Sequence, residues 1–153
     1  MRMKKYNILL LAVFVVGLSS AVSAKGLSGV VLDKRSGIYW QDTLDSKESS
    51  EDWDDAVAYC DKLELAGMEH WRLPTFKELF SIVDYKRIKP AINPAFDFTE
   101  EGTYWTSTTF APNVSRAWTI DFRTGKSFYS YKTTNHAVRC VRDVPEVSAK
   151  ENK

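Results

Sequence analysis

Histidine is scarce in this chain, with only His70 and His136 among 153 residues. Two separated histidines provide neither the cluster of ligands that a zinc site needs nor an obvious general base. The sequence also contains no internal repeat and no low-complexity linker. These absences predict one domain that has no metal, no cofactor and no enzymatic activity.

An excess of charge of one sign is also absent, because 21 Lys and Arg residues balance 20 Asp and Glu residues to a formal charge of +1. The first residues, "MRMKK", carry Arg2, Lys4 and Lys5 and no acidic residue, so their removal leaves a formal charge of −2. Affinity for nucleic acids comes mostly from the neutralisation of phosphates. We therefore expect no nucleic-acid partner.

One long apolar run is present, and it lies at the N-terminus. It reads "YNILLLAVFVVGLSS", it follows the basic residues, and "AVSA" then places Val22 and Ala24 at the positions that a signal peptidase reads. This order predicts a signal peptide over residues 1–24 and an exported bacterial protein, periplasmic or secreted, without a membrane span after cleavage. The alternative is an uncleaved anchor, for which the run is short, since a span takes about 20 apolar residues.

Cysteine is limited to Cys60 and Cys140, both in the part predicted to be exported. In an oxidising compartment two cysteines are expected to pair. Such a bond would close a loop of about 80 residues and stabilise the fold by roughly 4 kcal/mol. The alternatives are two buried free thiols or a catalytic thiol, but neither cysteine has neighbouring histidine and carboxylate residues that would activate it.

The hydrophobic periodicity predicts an α+β fold. "GVVLDKRSGIYWQD" indicates two strands around a turn, and a helix with Cys60 on its buried stripe follows, capped by Ser49 or Ser50. A second helix begins at Thr75. From residue 104 onward, period-two alternation predicts strands in "TYWTST", "RAWTIDF", "SFYSYK" and "HAVRCVR". We expect two helices packed on an antiparallel sheet, in a single domain over residues 25–143, and a disordered polar tail over residues 144–153.

The segment "HWRLPTFKEL" places an arginine beside a tryptophan, just before the second helix. Thr75 and Glu78 form the T-x-x-E pattern of a capping box, and Pro74 disfavours helix at the residue before it. Arg72 alternates with Trp71, so its side chain points away from the core, within reach of a carboxylate or of loop carbonyls. Such an arginine can belong to a binding site, a catalytic site or a structural ion pair, and we predict that Arg72, Thr75 and Glu78 form a structural clamp.

Six segments occur in a fixed order along the chain: "GIYWQD", "AVAYC", "HWRLPTFKEL", "TYWTST", "AWTIDFRTGK" and "AVRCVR". In order and approximate spacing they resemble the Lcl C-terminal domain family, named after a Legionella collagen-like adhesin, from about Gly29 to Arg142. The resemblance implies a C-type-lectin-like fold, shared with the formylglycine-generating enzyme group, in which an N-terminal strand pairs with a C-terminal one. The adhesin binds sulfated polysaccharide as part of a larger trimer, whereas this chain has no collagen-like repeat.

Some proteins of the implied fold bind calcium and others are oxidases, but this sequence lacks the motifs of both. The Glu-Pro-Asn, Gln-Pro-Asp and Trp-Asn-Asp tripeptides of calcium-dependent lectins are absent from the later part of the chain. The acidic residues of "EDWDD" would be spread over different faces of a helix, whereas calcium needs six to eight converging oxygens. The oxidase of the related fold uses paired cysteines near its site, and both cysteines here are assigned to the predicted disulfide.

The function predicted from the sequence is that of a binding module for a carbohydrate or a sulfated polysaccharide. Cations beside aromatic rings suit sugar rings and sulfates. The candidate residues lie in the hairpin "RTGKSFYSYK", and they are Arg123, Lys126, Tyr129, Tyr131 and Lys132. Alternatively, the tyrosines pack in the sheet and the charges keep the hairpin soluble. The alternative function is a structural or protein-interaction domain of the periplasm, with an envelope protein as its partner.

Overall fold

The computed structural model of the chain describes residues 28–145. The predicted signal peptide, residues 1–24, and residues 146–153 of the predicted tail lie outside this range. The α+β prediction is confirmed, and the elements are β1 (Val30–Asp33), β2 (Ile38–Gln41), α1 (Leu44–Glu48), α2 (Trp53–Lys62), α3 (Phe76–Ser81), β3 (Thr103–Thr109), β4 (Arg116–Asp121), β5 (Lys126–Tyr131) and β6 (Val141–Asp143). No helix in residues 28–145 has the length and apolar character needed to cross a membrane.

The strands form two antiparallel sheets within the described residues, with the orders β1-β2-β6 and β3-β4-β5. The last strand therefore joins the N-terminal hairpin, but its partner is β2, not the first strand. Residues 137–140 lie between the two sheets and connect them, because Ala137 bridges to Tyr104 in β3 before the chain enters β6. The continuous strand expected over "HAVRCVR" is for this reason divided between a bridge and a short strand.

The helices differ from the sequence expectation in number and in one cap. Helix α1 was not predicted, because its five residues carry no apolar stripe; Thr43 and Ser46 form its capping box. Helix α2 is capped by Asp52, whose carboxylate accepts a hydrogen bond from the Asp55 amide at 3.0 Å, rather than by Ser49 or Ser50. The Ser49 hydroxyl is instead within hydrogen-bond distance of the Val138 backbone.

The segment 137–141 separates two clusters of buried side chains. Val138 and Cys140 belong to the cluster under α2, whereas Ala137 and Val141 belong to the cluster under α3. The predicted disulfide is confirmed: Cys60 of α2 is bonded to Cys140 with a sulfur–sulfur distance of 2.04 Å. One covalent bond thus ties the longest helix to the segment between the sheets.

Arg139 lies between these clusters and is fully buried. Its guanidinium donates hydrogen bonds to the Gln41 carbonyl at 2.7 Å, to the Asp42 carboxylate at 3.1 Å, to the Thr99 hydroxyl at 2.9 Å and to the Phe98 carbonyl. These acceptors come from the end of β2 and from the long loop before β3. Arg139 therefore holds the loop against the first sheet, a role that the sequence did not reveal.

Candidate functional site

The Arg72 side chain joins three parts of the chain. Its guanidinium contacts both carboxylate oxygens of Glu78 at 2.8 and 2.9 Å, and it contacts Asp143 of β6 at 2.9 Å. The backbone of Arg72 exchanges two hydrogen bonds of 2.8 Å with Val141. Thr75 and Glu78 form the capping box expected from the sequence, with the Glu78 carboxylate accepting from the Thr75 amide at 2.7 Å. Every polar group of this cluster is thus engaged within the protein.

The ion pair of Arg72 and Glu78 is partly open to solvent, since 38% of the Arg72 side chain is exposed. The hydrogen bond to Glu78 raises the pKa of Arg72. Burial acts to raise the pKa of Glu78, but the hydrogen bonds from Arg72 and from the Thr75 amide outweigh it, so the pKa of Glu78 is lowered. The pair is therefore half-buried, and solvent weakens the attraction between its charges.

We expect Arg72→Ala to lower the free energy of unfolding by about 1–2 kcal/mol, which is less than the loss of a fully buried partner would cost. Urea denaturation measures the change. Arg35→Ala is the matched control, because Arg35 lies near Asp33 at 3.9 Å but is 88% exposed, and its loss should have little effect. An Arg72→Ala variant that kept its stability but lost ligand binding would contradict the structural role.

A continuous row of aromatic side chains crosses the second sheet on the face that α3 partly covers. We call this row, together with Arg116, the aromatic surface, and its members are Phe76, Phe110, Arg116, Trp118, Tyr129 and Tyr131. The register of β4 and β5 pairs Trp118 with Tyr129 and Arg116 with Tyr131, and directly opposed residues share one face of a sheet. The aromatic surface is therefore set by cross-strand pairing.

The rings of this surface pack closely against one another. Phe110, just beyond β3, stacks on Tyr129 with ring centres 4.1 Å apart and lies edge-on to Trp118 at 5.3 Å. Phe76, in the first turn of α3, packs against Trp118 with ring centres 5.2 Å apart. Tyr129 and Tyr131 nevertheless remain 45% and 51% exposed. The rings are thus fixed in position while part of their area stays in contact with water.

Arg116 supplies the cation of the aromatic surface. Its guanidinium carbon lies 4.2 Å from the centre of the Tyr131 ring and 5.3 Å from that of Tyr129. One terminal nitrogen donates a hydrogen bond of 2.7 Å to the Tyr131 hydroxyl. Contact between a guanidinium and an aromatic face is attractive. Arg116 therefore holds Tyr131 in place and adds positive charge beside two exposed rings.

A cavity of about 430 Å³ opens at the α3 end of this surface, and its walls are mostly apolar. It is lined by Thr75, Phe76, Lys77, Thr108, Trp118 and Ser127. The Thr108 hydroxyl accepts a hydrogen bond from the Phe76 amide at 2.9 Å, which fixes the first turn of α3 against β3. Two aromatic rings, a lysine and three hydroxyl side chains therefore surround one opening that a small ring could enter.

The structure brings together only two of the five residues predicted to bind ligand. Tyr129 and Tyr131 lie on the aromatic surface, whereas the Lys132 ammonium lies 3.9 Å from the centre of the Trp53 ring, on the other face of the sheet. Arg123 and Lys126 lie at the far end of the hairpin, where the Arg123 amide bonds to Asp121. Period-two alternation alone separates Lys126 and Lys132 from the tyrosines, because residues an odd number of positions apart face opposite ways.

Four residues of the surface were not selected from the sequence: Phe76, Phe110, Arg116 and Trp118. The alternation in "RAWTIDF" does place Arg116 and Trp118 on one face of β4, so part of the signal was present. The position of that face opposite Tyr129 and Tyr131 depends on the strand register, and the approach of Phe76 depends on where α3 packs.

A more polar opening surrounds His136 and has a volume of about 410 Å³. The buried Nε2 of His136 has no hydrogen-bond partner among the described residues, and burial lowers the pKa of this side chain. Its ring lies edge-on to Trp105 at 4.6 Å. Within residues 28–145, no three His, Cys, Asp or Glu side chains lie together in a group that could hold a metal ion.

Comparison with known proteins identifies the family to which this domain corresponds. The profile of the Lcl C-terminal domain matches residues 29–142, which is more than half of the chain. A search of curated proteins finds no match. The matched range begins just before β1 and ends within β6, so it contains both sheets, the three helices and the disulfide. The chain belongs to the Lcl C-terminal domain family.

Proposed function

We propose that the protein is an exported, non-catalytic module that binds carbohydrate through the aromatic surface. Family membership indicates an adhesin-like binding module, and the family together with the Cys60–Cys140 disulfide is compatible with export. The proposed location is the periplasm or the exterior of a bacterial cell. A glycan or a sulfated polysaccharide of the envelope or the cell surface is the proposed partner.

One observation carries the proposal: Tyr129 and Tyr131 are half-exposed, rigidly packed and adjacent to Arg116. Aromatic rings provide large apolar contact areas at low entropic cost when neighbouring side chains already hold them in place. The apolar face of a sugar ring can stack on such a ring. Guanidinium N–H groups donate strong hydrogen bonds to hydroxyl, carboxylate or sulfate oxygens. The aromatic surface thus combines the two kinds of contact that a substituted sugar requires.

We expect Tyr129→Ala to raise the dissociation constant for a bound glycan about tenfold, which corresponds to ~1.4 kcal/mol and is within the range of one aromatic contact. A glycan array identifies the ligand, and titration calorimetry measures the change. The control is Ile88→Ala, because Ile88 is an apolar residue that is 70% exposed and lies outside the strands. Equal losses in both variants would contradict a site on the aromatic surface.

The cations of the hairpin end provide a second comparison in the same assay. The double variant Arg123→Ala, Lys126→Ala removes two charges that lie away from Tyr131, so it should change binding less than Tyr129→Ala does. If the double variant alone abolished binding, the site would lie at the hairpin end, and the aromatic surface would be structural. If no glycan bound, the interaction-domain alternative would be favoured.

A further inference from the structure

The outer edge of β5 is the feature from which we draw a further inference. Strand β5 ends its sheet and pairs only with β4 among the described strands. The Lys132 amide bonds to Ser115, at the end of β4, at 2.9 Å. Because successive residues of a strand direct their N–H and C=O groups to opposite sides, those of Ser127 and Tyr129 and the N–H of Tyr131 point away from β4.

Within residues 28–145, none of these outward groups has a backbone partner. The Tyr131 carbonyl is not among them, because it accepts a hydrogen bond from the Thr134 amide. Two other strand edges are covered by bridges: Ala137 bonds to Thr103 and Trp105 of β3, and Arg72 bonds to Val141 of β6. Strand β1 is also at an edge, but it has only four residues and ends at Asp33, with Lys34 and Arg35 directly after it. The edge of β5 is longer, with six residues.

Strand β5 also lacks the features that usually prevent strands from pairing between molecules. Proteins protect open edges with proline, bulges, charged side chains or short strands. The six residues "KSFYSY" contain no proline, pair with β4 in continuous register, and carry one charge, at Lys126. The side chains on both faces include exposed aromatic rings, at Phe128, Tyr129 and Tyr131. Such a strand is suited to accept another strand.

We propose that the edge of β5 pairs antiparallel with β5 of a second copy of this chain, so that the two sheets become one six-stranded sheet. A two-fold axis at Phe128 places Ser127 opposite the partner's Tyr129, with hydrogen bonds in both directions. It also places Lys126 opposite the partner's Ser130. An axis at Tyr129 would instead oppose Lys126 to the partner's Lys132, and like charges directly opposite destabilise a pair. Charge therefore favours the register centred on Phe128.

The proposed axis is perpendicular to the sheet, so it leaves the two faces distinct. The aromatic surfaces of both copies then lie on the same side of the joined sheet. If the proposed carbohydrate site is correct, the dimer presents two sites to one polymer, and binding becomes bivalent. The association itself does not depend on the carbohydrate site. It uses backbone groups of β5 and the Phe128 side chains, which lie on the face of the sheet opposite to the aromatic surface.

Sedimentation velocity over a range of concentrations, with the purified protein, tests the association. We expect a monomer–dimer equilibrium that Phe128→Lys weakens at least tenfold, because two lysines then lie opposite each other on the axis. The matched control is Ile88→Lys: Ile88 is 70% exposed and lies outside the strands, so its variant should still dimerise. A protein that stays monomeric up to about 1 mM overturns the proposal. So does a dimer on which Phe128→Lys has no effect.

Hydrogen exchange identifies the edge that is used. In the dimer, the amides of Ser127 and Tyr129 should gain protection as concentration rises, whereas the amides of Phe128 and Ser130, which already bond to β4, should change little. Protection confined to other strands would overturn the proposal even if a dimer forms. Glycan binding by the monomeric Phe128→Lys variant is measured separately, so failure of the dimer and failure of the carbohydrate site give different results.

Discussion

Arg139→Met is expected to lower the free energy of unfolding by about 3–5 kcal/mol, because it removes one partner of a buried charge pair. Asp42 is itself buried and would lose its ion pair, although its carboxylate would still accept hydrogen bonds from the Asp97 and Phe98 amides at 2.9 and 3.0 Å. The Thr99 hydroxyl and two carbonyls would also lose the hydrogen bonds that Arg139 donates to them. Methionine fills much of the volume, so the loss reflects polar contacts more than a cavity.

Urea denaturation of Arg139→Met and of Arg142→Met measures this difference. Arg142 is a partly exposed neighbour whose side chain donates to the Glu69 carbonyl, so its replacement should cost about 1 kcal/mol. The double variant Arg139→Met, Asp42→Asn tests the reason for the effect. It should lose less stability than the sum of the two single variants, because the ion pair of Arg139 and Asp42 can be lost only once. Equal stability of Arg139→Met and Arg142→Met would mean that the buried network contributes little.

Removal of the disulfide by Cys60→Ala and Cys140→Ala together is expected to lower the free energy of unfolding by about 4 kcal/mol. The bond joins residues 80 positions apart, and closing a loop of this length strongly reduces the conformational entropy of the unfolded chain. Both cysteines are fully buried, so alanine also leaves a small space between α2 and the segment 137–141. Thermal and urea denaturation of the oxidised protein and the double variant measure the change.

Reduction of the wild-type protein provides an independent test of the same contact. Because both sulfur atoms are inaccessible in the folded state, we expect a thiol reagent to leave the disulfide intact in buffer and to reduce it once urea unfolds the chain. Mass spectrometry after alkylation counts the free thiols. A double variant as stable as the wild-type protein would show that the packing between α2 and the central segment suffices without the bond.

Local sequence signals were reliable wherever a short segment determines its own structure. Thr75 and Glu78 form the predicted capping box, since a cap involves residues within one turn of a helix. The pairing of Cys60 with Cys140 followed from their number and predicted compartment. The α+β class followed from periodicity. Helix α1 was missed because periodicity detects an apolar stripe, and a five-residue helix whose only apolar residue is Leu44 has none.

Long-range contacts could not be derived in the same way. Arg139 lies in a run of apolar residues, and nothing in "HAVRCVR" indicates that its partners are Asp42 and Thr99, 97 and 40 positions away. The Asp143 contact of Arg72 likewise spans 71 positions. The candidate ligand residues were chosen for their closeness along the hairpin, whereas the surface is organised by the pairing of β4 with β5.

By itself, the sequence determined the fold class, the disulfide, the cap of α3 and the family, because each depends on local pattern or on the number and order of motifs. Only the tertiary structure decided which side chains meet. Strand register places Arg116 beside Tyr131, and the packing of α3 places Phe76 beside Trp118. Sheet order leaves β5 at an open edge. Register and sheet order depend on the simultaneous burial of both cores, and no single segment of the sequence contains that information.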